Sequence, residues 1–317
     1  METKTKLFNF ERQRIGIILV LLTALISGVA NFFNKFAMQI LAKDAFQYTA
    51  LKNIVVALGL SLILLSPLVL GKLKKIQKTD WLKLIIIGLI GGGIPFLLFF
   101  KGLSLTSAVS ASFIHKTLFA WVAILAWPVL KEKIGKWQFL ALGLLLIGNF
   151  VFLDFRNLRW GVAETMILIA TIMWAMETIV VKATLAKVEP IVAAWARMFF
   201  GSIFLFGWLI MTNNVTGLGQ LDLDQLSWLV GVGVLLLGYV ITWYSGLKRL
   251  SALTTASILV LASPITTLLN SIFVSHSFSV QNFWSSLIIA FGVSGFIALG
   301  FKQNSKSSYQ ILENSKS

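Results

Sequence analysis

The sequence predicts an all-α integral membrane protein with ten transmembrane helices, arranged as two inverted five-helix repeats. Three observations predict this fold: an apolar composition, ten apolar runs of span length, and a self-match between the two halves of the chain. Hydrophobic residues make up 57% of the 317 residues, charged residues only 12%, and the mean hydropathy is +0.87. A soluble domain is far less apolar, so lipid is the expected solvent for much of the surface.

The apolar runs have the length that a membrane demands, since a helix needs about 20 mostly apolar residues to cross roughly 30 Å of hydrocarbon. The predicted spans are 16–41, 47–70, 82–103, 107–130 and 137–153 in the first half, and 161–184, 190–212, 226–247, 251–273 and 280–301 in the second. The chain therefore divides into a segment 1–15, a first repeat 16–153, a second repeat 161–301 and a tail 302–317. The first run also has the outline of a signal peptide, but the first repeat needs this helix to be complete.

The duplication is visible when the sequence is shifted against itself by 144 residues, which aligns 80–152 with 224–296 without a gap. Identical pairs include Gly102/Gly246 and Gly148/Gly292. Further upstream, an offset of 145 residues places Lys52 on Arg197. Because each copy has an odd number of spans, the second copy must lie upside down relative to the first.

Loop charges support the inversion, because Lys and Arg concentrate in cytoplasmic loops. Four lysines lie in 72–78, whereas the matching loop of the second copy carries Asp222 and Asp224 and no basic residue. With both termini in the cytoplasm, 19 Lys and Arg fall on the cytoplasmic side and three on the other. The net charge of +15 thus indicates orientation in a cell membrane, most simply a prokaryotic inner membrane, and no nucleic-acid partner is expected.

Several classes of protein are excluded or disfavoured by what the sequence lacks. The chain has no cysteine and only two histidines, His115 and His276, so neither a thiolate nor a histidine-rich metal centre is expected. No zinc-protease, nucleophile-elbow or phosphate-loop motif occurs, so no enzymatic activity, metal or cofactor is predicted. An integral-membrane enzyme and a receptor or scaffold without transport activity stay as alternatives from other classes.

Three segments carry a family resemblance. They are Phe-Lys-Gly-Leu-Ser-Leu-Thr-Ser-Ala at 100–108, Leu-Lys-Glu-Lys-Ile at 130–134 and Leu-Gly-Leu-Leu-Leu-Ile-Gly at 142–148, and the second copy repeats the pattern in 245–252, 262–264 and 287–292. This order and spacing resembles the drug/metabolite transporter superfamily, EamA type. The chain departs from the family in having His276 where a loop glutamate would match Glu132, and the first copy has Ala120 where the second has Pro264.

The resemblance implies a carrier that moves small metabolites by alternating access, with a central cavity between the two halves. The favoured cargo is amino acids or related organic compounds that are exported, and proton coupling is a further hypothesis. Organic anions such as sugar phosphates are the alternative, supported by five basic residues within spans: Lys35, Lys52, Lys101, Lys116 and Arg197. Lys52, Lys101 and Arg197 lie nearer the span ends, so we expect their side chains to reach the headgroups.

Charged groups in a span are costly and mark candidate sites. Ser112, His115 and Lys116 share one face of the fourth helix, and Trp174 and Glu177 share a face of the sixth. We expect Lys116 and Glu177 to pair across the cavity as the transport site. The alternatives are a static buried ion pair or a Lys116 side chain that extends to the headgroups, and for His115 a hydrogen-bonded residue of the core. The second copy is apolar at the positions that match Ser112, His115 and Lys116, which favours a site over packing.

Other candidates are polar or aromatic residues deep in spans and residues that interrupt helices. Asn31, Asn34 and Lys35 lie along one stripe of the first helix, where they either line the cavity or pack against a neighbouring helix. Trp243 and Tyr244 are candidate apolar walls, with core packing as the alternative. Gly92, Pro95 and Pro264 are candidate hinges, because glycine and proline weaken a helix locally.

Overall fold

The computed structural model describes residues 2–41, 44–73, 76–106, 108–132, 134–151, 160–277 and 279–314, and every regular element in these ranges is a helix. The helices are α1 (Glu2–Leu41), α2 (Ala45–Leu64), α3 (Pro67–Leu73), α4 (Lys78–Ile87), α5 (Ile94–Leu105), α6 (Ala108–Lys116), α7 (Leu118–Leu130), α8 (Lys136–Val151), α9 (Val162–Thr184), α10 (Pro190–Met211), α11 (Leu223–Arg249), α12 (Ala252–Leu259), α13 (Ala262–Asn270) and α14 (Val280–Asn314). Helix α1 begins at Glu2, well before the predicted first span.

The helices confirm a multi-pass membrane protein. Within the described residues, nine continuous or bent helices are long and apolar enough to cross a bilayer. A shorter apolar helix, α8, ends at Val151 beside residues 152–159, which lie outside the described part. Nine of the ten predicted spans are therefore present by length and composition, and the tenth stays a prediction.

Three spans are interrupted near their middle. A π-helical turn, Gly88–Gly93, separates α4 from α5, and short breaks at Thr117 and at 260–261 separate α6 from α7 and α12 from α13. Thr117 and residue 261 are 144 positions apart, so the two breaks occupy matching places in the two copies. Only the second break has a nearby proline, Pro264. Because the first copy has the matching break without one, the proline is not the cause of the interruption. Whether Gly92, Pro95 and Pro264 act as hinges stays a prediction.

The π-helical turn packs directly against α10. A Cβ atom on Gly92 would lie 2.0 Å from the carbonyl oxygen of Arg197, and one on Gly201 would lie 2.5 Å from the backbone of Gly92. Any side chain at these positions would force the two helices apart. The glycines therefore permit backbone-to-backbone contact between a helix of the first copy and a helix of the second.

The two ends of the bundle differ in charge and in packing. We call the end that carries Lys78, Lys131, Lys136, Lys248 and Arg249 the basic end. There α7 packs against α12. The matching pair under the 144-residue offset, α13 and α6, makes no comparable contact among the described residues.

Candidate functional site

A cavity between the two copies contains about 800 Å³ of empty space, including its opening. Both copies contribute to its wall, which consists of Ser27, Ala30, Asn31, Asn34, Lys52, Phe96, Phe99, Phe100, His115, Leu118, Trp174, Glu177, Thr178, Arg197, Val232, Leu236, Tyr239 and Trp243. The cavity is thus an apolar and aromatic chamber that contains a few charged groups.

Aromatic rings form a connected cluster on one side of the cavity. The Trp174 ring lies 5.0 Å from the His115 ring and 5.3 Å from the Phe99 ring, measured between centroids. The Trp174 indole N–H donates a 2.9 Å hydrogen bond to the carbonyl of Gly91 in the π-helical turn. Asn53 Nδ2 donates a similar bond of 2.9 Å to the carbonyl of Gly92. Two side chains therefore hold the irregular backbone beside the cavity.

The first copy supplies a buried cation, Lys52, whose side chain is only 3% exposed. Its Nζ donates a 3.0 Å hydrogen bond to Asn34 Oδ1, which also accepts a bond from the Tyr48 hydroxyl. The same Nζ lies 4.3 Å from the Phe100 ring centroid and 4.8 Å from that of Tyr48. Cation–π contacts of this kind stabilise an ammonium group without neutralising its charge. Among the described residues, no carboxylate forms a salt bridge with Lys52.

The second copy supplies Arg197, which is 5% exposed and lies at the position that matches Lys52. Its guanidinium carbon is 5.7 Å from the Phe96 ring centroid, and Arg197 interacts electrostatically with Glu177. The Tyr244 hydroxyl donates a hydrogen bond to Glu177 Oε1. Arg197 and Tyr244 therefore both interact with the Glu177 carboxylate, although no salt bridge joins Arg197 to Glu177 among the described residues.

The predicted pair of Lys116 and Glu177 is absent. Lys116 is buried, but it does not line the cavity, and its Nζ has no hydrogen-bond partner among the described residues. His115, one residue earlier, does line the cavity. The Lys116 side chain leaves the helix about 100° away from that of His115, and it does not reach the cavity wall.

The expectation that Lys52 and Arg197 reach the headgroups is wrong, since both are buried in the wall of the cavity. Their match under the 145-residue offset was the signal that could have identified them. Positions that keep a cation in both copies of an inverted repeat lie at similar depths, and both can face the central axis.

The other candidates divide into those that reach the cavity and those that do not. Asn31, Asn34, Trp174 and Trp243 line it, and Tyr244 lies behind Glu177. Lys35 is exposed on the outside of the bundle, and Lys101 is half-buried with its Nζ 6.0 Å from the Phe46 ring centroid. The Ser112 side chain lies outside the described part of the structure. Within the described residues, no group of three or more His, Asp or Glu side chains could hold a metal ion.

Comparisons with known proteins agree with this architecture. A family model described as the EamA-like transporter family matches residues 14–153 and again residues 161–298. An "uncharacterized transporter" of Methanothermobacter thermautotrophicus is 26% identical over 227 residues, a match covering 69% of this chain and 65% of that protein. A second "uncharacterized transporter", from Clostridium kluyveri, is 24% identical over 279 residues, covering 84% of this chain and 88% of its own length.

A solved crystal structure has the same fold. It superposes with a TM-score of 0.72 over 92% of this chain and 98% of its own, at 15% sequence identity. At that identity the likeness concerns the fold alone. Together with the two relatives, the family model indicates a transporter rather than an enzyme.

Proposed function

The chain belongs to the EamA-like transporter family, and from this premise we propose that it is a secondary carrier of small organic metabolites that works by alternating access. In this proposal α8 completes ten spans, the two five-helix copies are inverted in the membrane, and both termini are cytoplasmic. The basic end of the bundle is then the cytoplasmic end. The cavity, whose wall comes from both copies, holds the cargo.

One observation carries the proposed substrate class: the Lys52 side chain is buried in the wall of the cavity and forms no salt bridge with a carboxylate of the described residues. Burying a charge is costly unless something offsets it. A carboxylate of the cargo would do so while the aromatic rings of Phe99, Trp174 and Trp243 contact its apolar part. We therefore propose a carboxylate-bearing cargo, with amino acids or related compounds as the favoured class.

Phosphorylated anions are the second candidate, because the cations at the cavity outnumber the acids. Lys52 and Arg197 line it, against the single carboxylate of Glu177. A phosphate ester would place more negative charge at Lys52 than a carboxylate does. A panel that contains both kinds of anion separates the two candidates.

Glu177 is the proposed coupling group. It is 2% exposed, lines the cavity and accepts the hydrogen bond from Tyr244. A carboxyl group in such a place can exchange a proton with the cavity whenever the cavity is open to water. Protonation would remove the charge that faces Arg197 and so link the proton to the occupancy of the site.

The experiment is uptake into proteoliposomes of labelled amino acids, other carboxylates, phosphate esters and the matching decarboxylated amines, with and without an imposed pH gradient. We expect flux of carboxylates, no flux of the matching amines, and a dependence on the pH gradient that is lost in Glu177→Gln. Asp224→Asn, which removes an exposed acid at the far end of the bundle, is the matched control. Flux of the amines at the rate of the acids would contradict the assigned substrate class. Flux that ignores the gradient in the wild type would remove the coupling role of Glu177.

A further inference from the structure

A short turn at the basic end, residues 250–251 between α11 and α12, is held by two charged side chains from outside the hairpin. Lys182 at the end of α9 donates from Nζ to the carbonyl oxygens of Leu247, at 2.7 Å, and Leu250. The Glu132 carboxylate accepts from the backbone N–H groups of Ala252, at 2.8 Å, and Leu253, at 3.3 Å. One side chain therefore binds the end of α11 and the other binds the start of α12.

The charges of Lys182 and Glu132 are opposite in sign to the partial charges of the helix ends that they contact. The last carbonyls of a helix and the first N–H groups of the next have no partners within their own helices, and they carry partial negative and positive charge respectively. A lysine at the former and a glutamate at the latter are favourable on both counts. The hairpin is thus held by groups that belong to neither of its helices.

Glu132 is directed toward the hairpin by the local backbone. Lys131 ends α7 in the left-handed conformation, with φ 56°, and the Glu132 N–H then bonds to the carbonyl of Ala126 at 3.3 Å. This turn points the next side chain at α12, against which α7 already packs. A salt bridge of 3.1 Å between Lys248 and Glu189 lies beside the same turn.

The opposite end is held by a different group, since residue 106 matches residue 250 under the 144-residue offset and the Thr106 hydroxyl donates a hydrogen bond to the Glu164 carboxylate of α9. The groups that match Lys182 and Glu132 are absent there. The position that corresponds to Lys182 under the 145-residue offset is Ala37, and the position that corresponds to Glu132 under the 144-residue offset is His276. The π-helical segment Ser271–Ser275 precedes His276, which takes the left-handed conformation that Lys131 has in the first copy. Aligned by backbone conformation, the residue that matches Glu132 is Ser277. Neither alignment supplies a carboxylate.

We infer that Glu132 and Lys182 form a latch that keeps the carrier closed at its basic end, so that the resting state opens toward the other end. This inference rests on the proposed alternating access. Opening at the basic end requires the turn at 250–251 to separate from α7 and α9, which breaks the bonds of both side chains. The latch therefore sets the free-energy difference between the two open states.

The test uses the absence of cysteine from the chain. Asn31→Cys places a single thiol in the wall of the cavity, and Ser27→Cys gives a second reporter on the same helix. In proteoliposomes of known orientation, a membrane-impermeant thiol reagent is added to one face at a time, with no substrate present. With the latch intact we expect labelling from the face opposite the basic end and little from the basic face.

Glu132→Gln and Lys182→Met should each raise the labelling rate from the basic face by roughly tenfold or more, as expected when one charge-assisted hydrogen bond is lost. Glu11→Gln, an exposed acid at the same end, is the matched control and should leave the rate unchanged. Fast labelling from the basic face in the otherwise wild-type chain would overturn the inference. So would an unchanged rate in both latch variants, provided that the opposite-face rate shows the cavity to be intact.

Substrate flux separates this inference from the proposed function. Unchanged labelling together with wild-type flux removes the latch and leaves the carrier standing. Faster labelling from the basic face supports the latch whatever the cargo is, because the reporter detects only which end is open.

Discussion

Lys52 and Arg197 occupy matching positions in the two copies, and both are buried in the wall of the same cavity, yet their surroundings differ. Arg197 has the Glu177 carboxylate and Tyr244 near it, whereas Lys52 has an amide oxygen and three aromatic rings. The duplicated scaffold thus keeps a cation on each side of the cavity and offsets only one of them. From this difference we infer that Lys52, in the first copy, is the cation that is available to bind an anionic ligand.

Because of this difference, we expect Arg197 and Lys52 to have different roles. Arg197 mainly affects the folding stability of the protein, because removing it leaves Glu177 as a buried charge without its cation. Lys52 acts first on the cargo, because its partners do not neutralise it. Replacing Arg197 should therefore lower the stability of the protein, whereas replacing Lys52 should weaken the binding of the cargo.

The largest effect is expected from Arg197→Met. Breaking a buried salt bridge by removing one partner costs about 3–5 kcal/mol. Arg197 and Glu177 interact without forming a salt bridge among the described residues, so that cost is the upper bound for the loss of stability in thermal or denaturant unfolding in detergent. The double variant Arg197→Met/Glu177→Gln removes both charges and should recover most of it. If the single and double variants were equally unstable, Arg197 would act by packing and the contrast between the two sites would weaken.

A slightly smaller effect, and of a different kind, is expected from Lys52→Met. Loss of the cation that meets a buried anionic group costs about 2–5 kcal/mol of binding free energy, so carboxylate binding should fall by roughly 30-fold or more. The unfolding transition should change little, because no carboxylate of the protein is left unpaired. Lys35→Met, which removes an exposed lysine from α1, is the control and should bind normally. Normal binding by Lys52→Met would show that Lys52 is not the anion site.

The smallest of the three effects is expected from Tyr244→Phe. A hydrogen bond to a charged group contributes about 1.5–3 kcal/mol, so this variant should lose that much stability and respond differently to an imposed pH gradient. Tyr239→Phe is the comparison variant, because it removes a hydroxyl that lines the cavity but makes no hydrogen bond to Glu177 among the described residues. Phe100 occupies the position that matches Tyr244 in the first copy, so the tyrosine hydroxyl is part of what separates the two sites. Identical behaviour of the two variants would argue that the hydroxyl plays no part in that difference.

The features that the sequence predicts correctly are those that depend on local composition. Nine spans and the family resemblance follow from apolar runs, loop lysines and repeated motifs. The surroundings of a charged side chain within a span are harder to predict, since the side chain of a residue seven positions into a helix can extend to the headgroups or face a cavity. Lys52 was placed wrongly for this reason. The position of Lys116 is hard to predict for a similar reason, because it shares a helix face with His115 and only His115 reaches the cavity.

Contacts between distant segments were beyond prediction altogether. The bond from Trp174 to Gly91 depends on the π-helical turn, which three consecutive glycines permit but do not require. The asymmetry between α4–α5, which is interrupted, and α11, which is continuous, likewise has only those glycines as its signal.

The contact of Gly92 with Gly201 has one further consequence. It joins the third span of the first copy to the seventh span of the chain with no side chain between them, so in the proposed carrier we expect these two helices to move together. In that proposal the units that move as rigid bodies each contain helices from both copies and do not coincide with the two halves of the sequence. Cutting the chain in the linker between the copies would place the helices of Gly92 and Gly201 in different fragments, so each fragment would lack a helix against which its own helices pack.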